Sequence, residues 1–285
     1  MKINWYPGHM AKAKREITES LKLVDIVIEL LDARIPESSR NPDVDALCKG
    51  KSRIIVLNKS DLADEKINRL WIDFFEAGNE KCVEIDSITG KGIKNLLSAI
   101  RKQSMEKNKK LKEKGMLSKP VRAMIIGIPN VGKSSLINRI SGRGAARTGD
   151  KPGVTKGRQW IKTGNDIDLL DTPGILWPKL GDEETGLNLS LTGAINDEII
   201  DIQELSYRLI DKIKHMSSNT LKQRFGIENT DEDSKIIIEE IAKGRGCMMR
   251  GGEPDIGRVS KLILNEFRSG KLGRISLESP HDGGM

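Results

Sequence analysis

Cysteine, aromatics and long apolar runs are all scarce in this chain, and each scarcity removes a class of function. The three cysteines, Cys48, Cys82 and Cys247, are scattered with no C-x-x-C spacing. Neither a zinc site nor a disulfide framework is indicated, and a reducing cytoplasm fits best. Aromatic residues make up 4% of the chain against 37% hydrophobic and 31% charged, a soluble globular profile that argues against disorder of the whole. The most apolar stretch, "VDIVIELL", is short and carries Asp25 and Glu29. The amino terminus, "MKINWYPGHMAKAKR", has no continuous apolar core of the kind a signal peptide needs. Neither export nor a membrane span is expected.

What the chain has in excess is positive charge. A formal charge of +7 favours an anionic partner, nucleic acid or an acidic membrane, and composition does not choose between them. At 285 residues the length exceeds the ~100–200 of one domain, so a main α/β domain and a smaller second one are expected.

Hydrophobic periodicity divides the chain further. Ala11 to about Leu23 has apolar residues at helical spacing among lysines and reads as a short basic amphipathic helix. Val24 to Leu31, "RIIVL" from Arg53 and "CVEI" from Cys82 are β-rich runs alternating with helix-like segments, the pattern of a parallel sheet. A helix from about Lys91 to Arg101 then fades into "KQSMEKNKKLKEKGMLSKP". This stretch reads as a solvated connector or as a segment touching RNA. "VRAMIIG" and "DIDLLD" resume the strands, and from Glu183 to the end only helical patterns follow, which predicts an all-α second domain.

Three stretches carry chemistry. "GIPNVGKS", Gly127 to Ser134, fits G-x-x-x-x-G-K-[ST] between an apolar strand and a helix, the context of a phosphate-binding loop. Backbone N–H groups along Asn130, Val131, Gly132, Lys133, Ser134 and Ser135 are expected to wrap phosphates. Lys133 reaches the β- and γ-phosphates, and the Ser134 hydroxyl takes a Mg²⁺ position. "LLDTPG" supplies Asp171 as the acid that holds Mg²⁺, often through water, and Gly174, whose N–H can face the γ-phosphate. Between them, Thr155 in "KPGVTKG" is a Mg²⁺ ligand and γ-phosphate sensor, or part of a plain polar loop.

The third stretch, "NKSD", follows a strand well before the phosphate loop. Asp61 can accept from both N1–H and the N2 amino group of guanine, a donor pair that adenine lacks. Asn58 supports base and loop, the Lys59 stem covers the nucleotide face, and a backbone N–H at Ser87 or Ile88 in "DSITGKG" can meet guanine O6. GTP and GDP are therefore the expected nucleotides. A kinase reading is disfavoured, because "NKSD" and "DTPG" join the phosphate loop in one GTPase set.

Taken together, these motifs resemble the translation-factor-related GTPases, and their order resembles the circularly permuted branch. "WYPGHMAKAKR", "DARIPESSRNP", "DTPGILWPK" and "RSGKLGRISLE" are similar to the ribosome biogenesis GTPase A family, bacterial factors for late assembly of the large ribosomal subunit. The resemblance implies an α/β fold: a circularly permuted P-loop G domain with a mainly parallel sheet, followed by a small all-α domain. Residues 1–23 would be a basic segment packing on the G domain, 24–180 the G domain with its connector at about 102–120, and 181–285 the helical domain that binds RNA or the ribosome.

The resemblance also bears on hydrolysis and partners. Ile175 stands where many GTPases have a water-orienting glutamine, and the family assigns a hydrolytic role to the amino-terminal histidine, here His9. The other reading of His9 is that it stabilises a basic RNA-binding segment. Asn130 resembles the asparagine with which potassium-activated relatives coordinate K⁺ near the phosphates. The implied partner is a large-subunit precursor of rRNA and ribosomal proteins, with no DNA and no stable membrane association. Another structured RNA as target, and a GTP-controlled binding module with little turnover, are the alternatives.

Overall fold

The computed structural model describes residues 15–113, 120–142, 159–163, 166–172 and 182–280. Six strands form one sheet: β1 (Ile26–Asp32), β2 (Ser52–Asn58), β3 (Lys81–Glu84), β4 (Val121–Ile126), β5 (Gln159–Lys162) and β6 (Ile167–Asp171), in the order β3-β2-β1-β4-β6-β5. Every neighbouring pair is parallel except β5 with β6. Central β1 is buried at all positions. Ile26, Ile28 and Leu30 join the core on one side of the sheet, while Val27 and Leu31 join clusters on the other. A strand covered on both faces has no polar alternation to show, so "VDIVIELL" reads as one apolar run.

Helices α1 (Pro36–Ser39), α2 (Val44–Leu47), α3 (Glu65–Ala77), α4 (Ile93–Glu113) and α5 (Lys133–Ser141) accompany the sheet. Residues 15–21 are helical, and Ile17 and Leu21 pack with Val27, Met124 and Leu170. The carboxy-terminal region holds α6 (Glu183–Leu191), α7 (Ile202–Phe225), α8 (Ser234–Gly244) and α9 (Ile256–Arg268). Asp182, Asp201, Asp233 and Asp255 each accept a backbone N–H in the first turn of one of these helices, worth about 1 kcal/mol apiece. Helices α7, α8 and α9 pack against one another pairwise, burying Leu209, Ile213, Ile238, Ile241, Val259 and Ile263 in a shared core.

Three features depart from the sequence reading. The lysine-rich connector begins as helix, because α4 runs on to Glu113; lysine, glutamate and leucine are strong helix formers. Strand β5 is short and lies at the sheet edge with Ile161 as its one buried residue, too little apolar alternation to mark it. The described residues after α9 form turns and irregular chain rather than helix, and they return to the sheet domain. The three cysteines are buried. Burial pushes the Cys48 thiol up to about 11 and the Cys82 thiol to about 12, which removes both as nucleophiles.

One buried acid marks a pH dependence of stability. Glu29 is 1% exposed on β1, and neither carboxylate oxygen has a hydrogen-bond partner among the described residues. Arg53 Nη1 lies 3.3 Å and Arg40 Nε 3.8 Å from it. Burial raises its pKa from 4.5 to about 7 despite those two arginines. Between these values the folded chain keeps a proton that the unfolded chain has released. Stability therefore falls as pH rises through the window, by at most about 1.4 kcal/mol per pH unit. Glu29→Gln is expected to match the parent near pH 5 and to be more stable by roughly 1–3 kcal/mol at pH 8. Urea unfolding at both pH values checks this, and a variant that loses ground at pH 8 contradicts it.

Candidate nucleotide site

The carboxyl ends of the parallel strands converge on one edge of the sheet, where ligands of open α/β sheets bind. Asp32 ends β1, Asn58 ends β2, Asp86 follows β3, Gly127 follows β4 and Asp171 ends β6. Residues far apart in the chain therefore become neighbours.

Asn58 is fully buried and joins three loops. Its Nδ2 donates to Val131 O at 2.7 Å, 73 residues away, and its Oδ1 accepts from Ser87 N at 3.1 Å. Gly132 is required beside it: its φ is +102°, and a Cβ there would stand 2.3 Å from Asn58 Nδ2. Ile88 N donates to Asp86 Oδ1 at 2.8 Å, and Thr89 Oγ1 donates to Asp86 Oδ2. Asp61 is exposed in the same loop cluster. Partial burial and then the Asp86 carboxylate raise its pKa, as suits an acceptor awaiting donors.

Lys59 adopts φ +59° and donates to Asp32 Oδ2 at 3.0 Å. Arg34 grips the same carboxylate through Nε at 2.9 Å and Nη2 at 2.8 Å. Burial pushes Asp32 up, but Arg34 and Lys59 outweigh it and hold the carboxyl well below the ordinary range. The sequence reading did not single out Asp32 and Arg34 for a role. Their signal was an aspartate closing an apolar strand with an arginine two residues on.

At the phosphate end, Lys133 is 7% exposed, and its Nζ donates to Gly127 O at 3.0 Å and Ile128 O at 2.8 Å. Burial lowers its pKa to about 8, against an opposing pull from Asp171. Asp171 is raised by burial, with Lys133 and the Thr172 amide opposing. Its buried Oδ1 has no hydrogen-bond partner among the described residues. An unsatisfied carboxylate oxygen beside a glycine loop and the Ser134 hydroxyl is a donor set suited to Mg²⁺, which prefers hard oxygens and few protein ligands. Among the described residues no group of three or more His, Cys, Asp or Glu comes together as a metal site, so Mg²⁺ would lean on nucleotide phosphates for its remaining ligands.

Asn130, with φ +57°, turns its Nδ2 to Gly193 O at 2.7 Å, in the turn after α6. The phosphate loop thus touches the helical region, and a cation at Asn130 would take the oxygen end of the amide. Ser135 opens α5 just after Ser134. His9, Thr155 and Gly174 lie outside the described residues.

Comparison with known proteins agrees with this arrangement. A family model described as "50S ribosome-binding GTPase" matches residues 122–241. Ribosome biogenesis GTPase A of Bacillus cereus is 45% identical over 100% of this chain and 96% of its own length. The same-named protein of Thermotoga maritima is 36% identical over 98% of this chain and 95% of its own. The crystal structure of GNP-bound YlqF from T. maritima superposes with a TM-score of 0.66 at 33% identity, covering 95% of this chain and 99% of that one. In this sheet β2, which leads into "NKSD", precedes β4, which leads into the glycine loop, with only β1 between them in space, as in a circularly permuted G domain. With identity sustained along the whole length, the chain belongs to the ribosome biogenesis GTPase A family.

Proposed function

We propose that this protein is a GTP-hydrolysing assembly factor that binds immature large ribosomal subunits, promotes a late maturation step and leaves after hydrolysis. The observation that carries the proposal is Asn58, which ties the "NKSD" loop to both the phosphate loop and the Ser87 loop. That tie supports a single guanine-nucleotide pocket in a chain whose relatives are ribosome biogenesis GTPases. The net charge of +7 and the 50S-binding description of the matching family model support the partner read here, rRNA with its ribosomal proteins, and the cytoplasm as the place where they meet. Among the described residues no helix is long and apolar enough to cross a membrane. Residues 24–180 are taken as the permuted G domain, 181–285 as the RNA- or ribosome-binding domain and 1–23 as a basic segment on the G domain.

In this reading Asp61 accepts from guanine N1–H and N2, Asn58 fixes the loop and the Lys59 stem covers the base. The Ser87 and Ile88 amides are already bonded to Asn58 and Asp86, so guanine O6 shares or replaces one of these acceptors. Val131, Gly132, Ser134 and Ser135 offer backbone N–H groups to the phosphates, and Lys133 exchanges its loop carbonyls for β- and γ-oxygens. Mg²⁺ held by Ser134, Thr155 and Asp171 would supply charge neutralisation across those oxygens. Gly174 offers its N–H to the γ-phosphate and His9 orients water; K⁺, held at Asn130, would supply positive charge against the charge that develops there.

The test is GTP turnover by the protein alone, with mature small subunits, and with mature or precursor large subunits, in KCl and in NaCl at equal ionic strength. Stimulation confined to large-subunit particles is expected, and it is expected to be greater in KCl. No stimulation by any particle would move the function to another RNA or to binding without turnover, and equal rates in the two salts would remove the K⁺ role.

A further inference from the structure

The chain that leaves α9 does not end in the helical region. It returns to the two loops that frame the base pocket, and backbone hydrogen bonds fix it there. Ile275 N donates to Leu62 O at 2.9 Å, and Leu277 N donates to Arg34 O at 2.8 Å. Between them, Ser276 Oγ accepts from Asp64 N at 3.1 Å across 212 residues of sequence. Leu62 directly follows Asp61, and Arg34 is the residue that grips Asp32 and, through it, Lys59. Three consecutive residues of the tail therefore touch the base-reading loop at its exit and the support beneath its lysine. All three are nearly buried.

The anchor is Glu278. Its carboxylate accepts from Glu37 N at 2.8 Å, Ser38 N at 3.1 Å and Asn188 Nδ2 at 3.0 Å, and from the Ser38 hydroxyl. One acid thus satisfies the amino-terminal turn of α1 and reaches α6 as well. From α9 the Phe267 ring lies under the Arg34 guanidinium, 5.2 Å from its carbon, so the helical region supports the same arginine from a second side. Lys59 sits at a positive φ that a lysine rarely adopts. Such a conformation persists where its surroundings over-determine it, and the tail with its Asp32–Arg34 relay is that surrounding.

We propose that residues 275–278 are a brace for the guanine-reading loop, with Glu278 as the positioning residue that fastens it, so that docking of the tail and binding of the guanine base stabilise each other. The brace rests on the reading of this pocket as a guanine site. By linkage, guanine nucleotide strengthens tail docking as much as tail docking strengthens guanine binding. A partner that undocks the tail alone then weakens the grip on the base while leaving the phosphate loop and its Asn130–Gly193 contact in place.

Two measurements on the full chain test this. The first is calorimetric affinity for GDP, ADP and inorganic pyrophosphate in the parent, Leu277→Pro, Glu278→Ala and Glu278→Gln. Loss of the brace is expected to weaken GDP by about 5- to 100-fold in the first two variants and to leave pyrophosphate within about twofold, with partial rescue by glutamine, which keeps an acceptor. GDP and pyrophosphate falling together, or GDP unchanged, overturns the brace. The second uses the parent chain alone, so it stands even where a variant fails to fold. Hydrogen exchange at the Ile275 and Leu277 amides is expected to slow with GDP and not with pyrophosphate, and equal protection by both overturns the proposal. A parent chain that binds ADP as tightly as GDP would instead overturn the guanine reading itself, and the brace with it.

Discussion

Lys133→Ala is expected to lower single-turnover GTP hydrolysis by about 10²–10³-fold, the size of effect seen when one preorganised charge is removed from a reacting oxyanion. The side chain is nearly buried and folded onto the Gly127 and Ile128 carbonyls, so in the proposed site its ammonium is held ready for the phosphate oxygens. Retention of more than about a tenth of the parent rate would sink the assignment.

The same lysine carries a pH signature. Burial lowers its pKa to about 8 in the folded chain, and phosphate oxygens favour the charged form and raise it. Nucleotide binding then takes up a proton above pH 8, and affinity falls with rising pH by at most about tenfold per unit. The alanine variant should lose that slope, which separates the loss of a titrating charge from a general loosening of the loop.

Asp61→Asn is expected to reverse base choice, moving preference from GTP to xanthosine triphosphate by about 10³–10⁵-fold, since a site built for paired hydrogen bonds rejects a ligand that leaves them unmade. In the proposed site the carboxylate would accept twice from guanine, whereas an asparagine amide can donate to the 2-oxo group of xanthine. Asp61 is well placed for a clean exchange: it is exposed in the loop cluster, while Asn58 beneath it holds the loop through Val131 and Ser87. The substitution should therefore change recognition without moving the phosphate loop. Competition between the two triphosphates in a hydrolysis assay reads the outcome, and an unchanged GTP preference would refute Asp61 as the base reader.

These two residues were legible in the chain because their signals are local. A glycine loop between an apolar strand and a helix is defined within a dozen residues, and so is an N-K-x-D tetrapeptide after a strand. Their joint presence predicted the pocket, and the order in which they come predicted the permutation. Local chemistry also had blind spots. Strand β5 carries one buried residue, too few for a periodic signal. The helix α4 continues through a lysine-rich run, whose lysines, glutamates and leucine favour helix without the clear apolar period that would have announced it. Asp32 and Arg34 form a pair whose purpose depends on Lys59, which reaches Asp32 from the loop after β2.

The sequence by itself determined the family and the permuted order, through an N-K-x-D tetrapeptide, a glycine loop and a D-x-x-G segment, and it set the basic charge of the chain. Tertiary structure decided what holds those motifs in register. It brought Asn58 to Val131 across 73 residues, set Asn130 against Gly193, and returned the tail to Leu62 and Arg34. The reason is physical. Motifs are written in residue types at fixed spacing, whereas a backbone carbonyl or amide is the same in every residue. Which of them meet is decided only when the sheet brings distant loops to one edge.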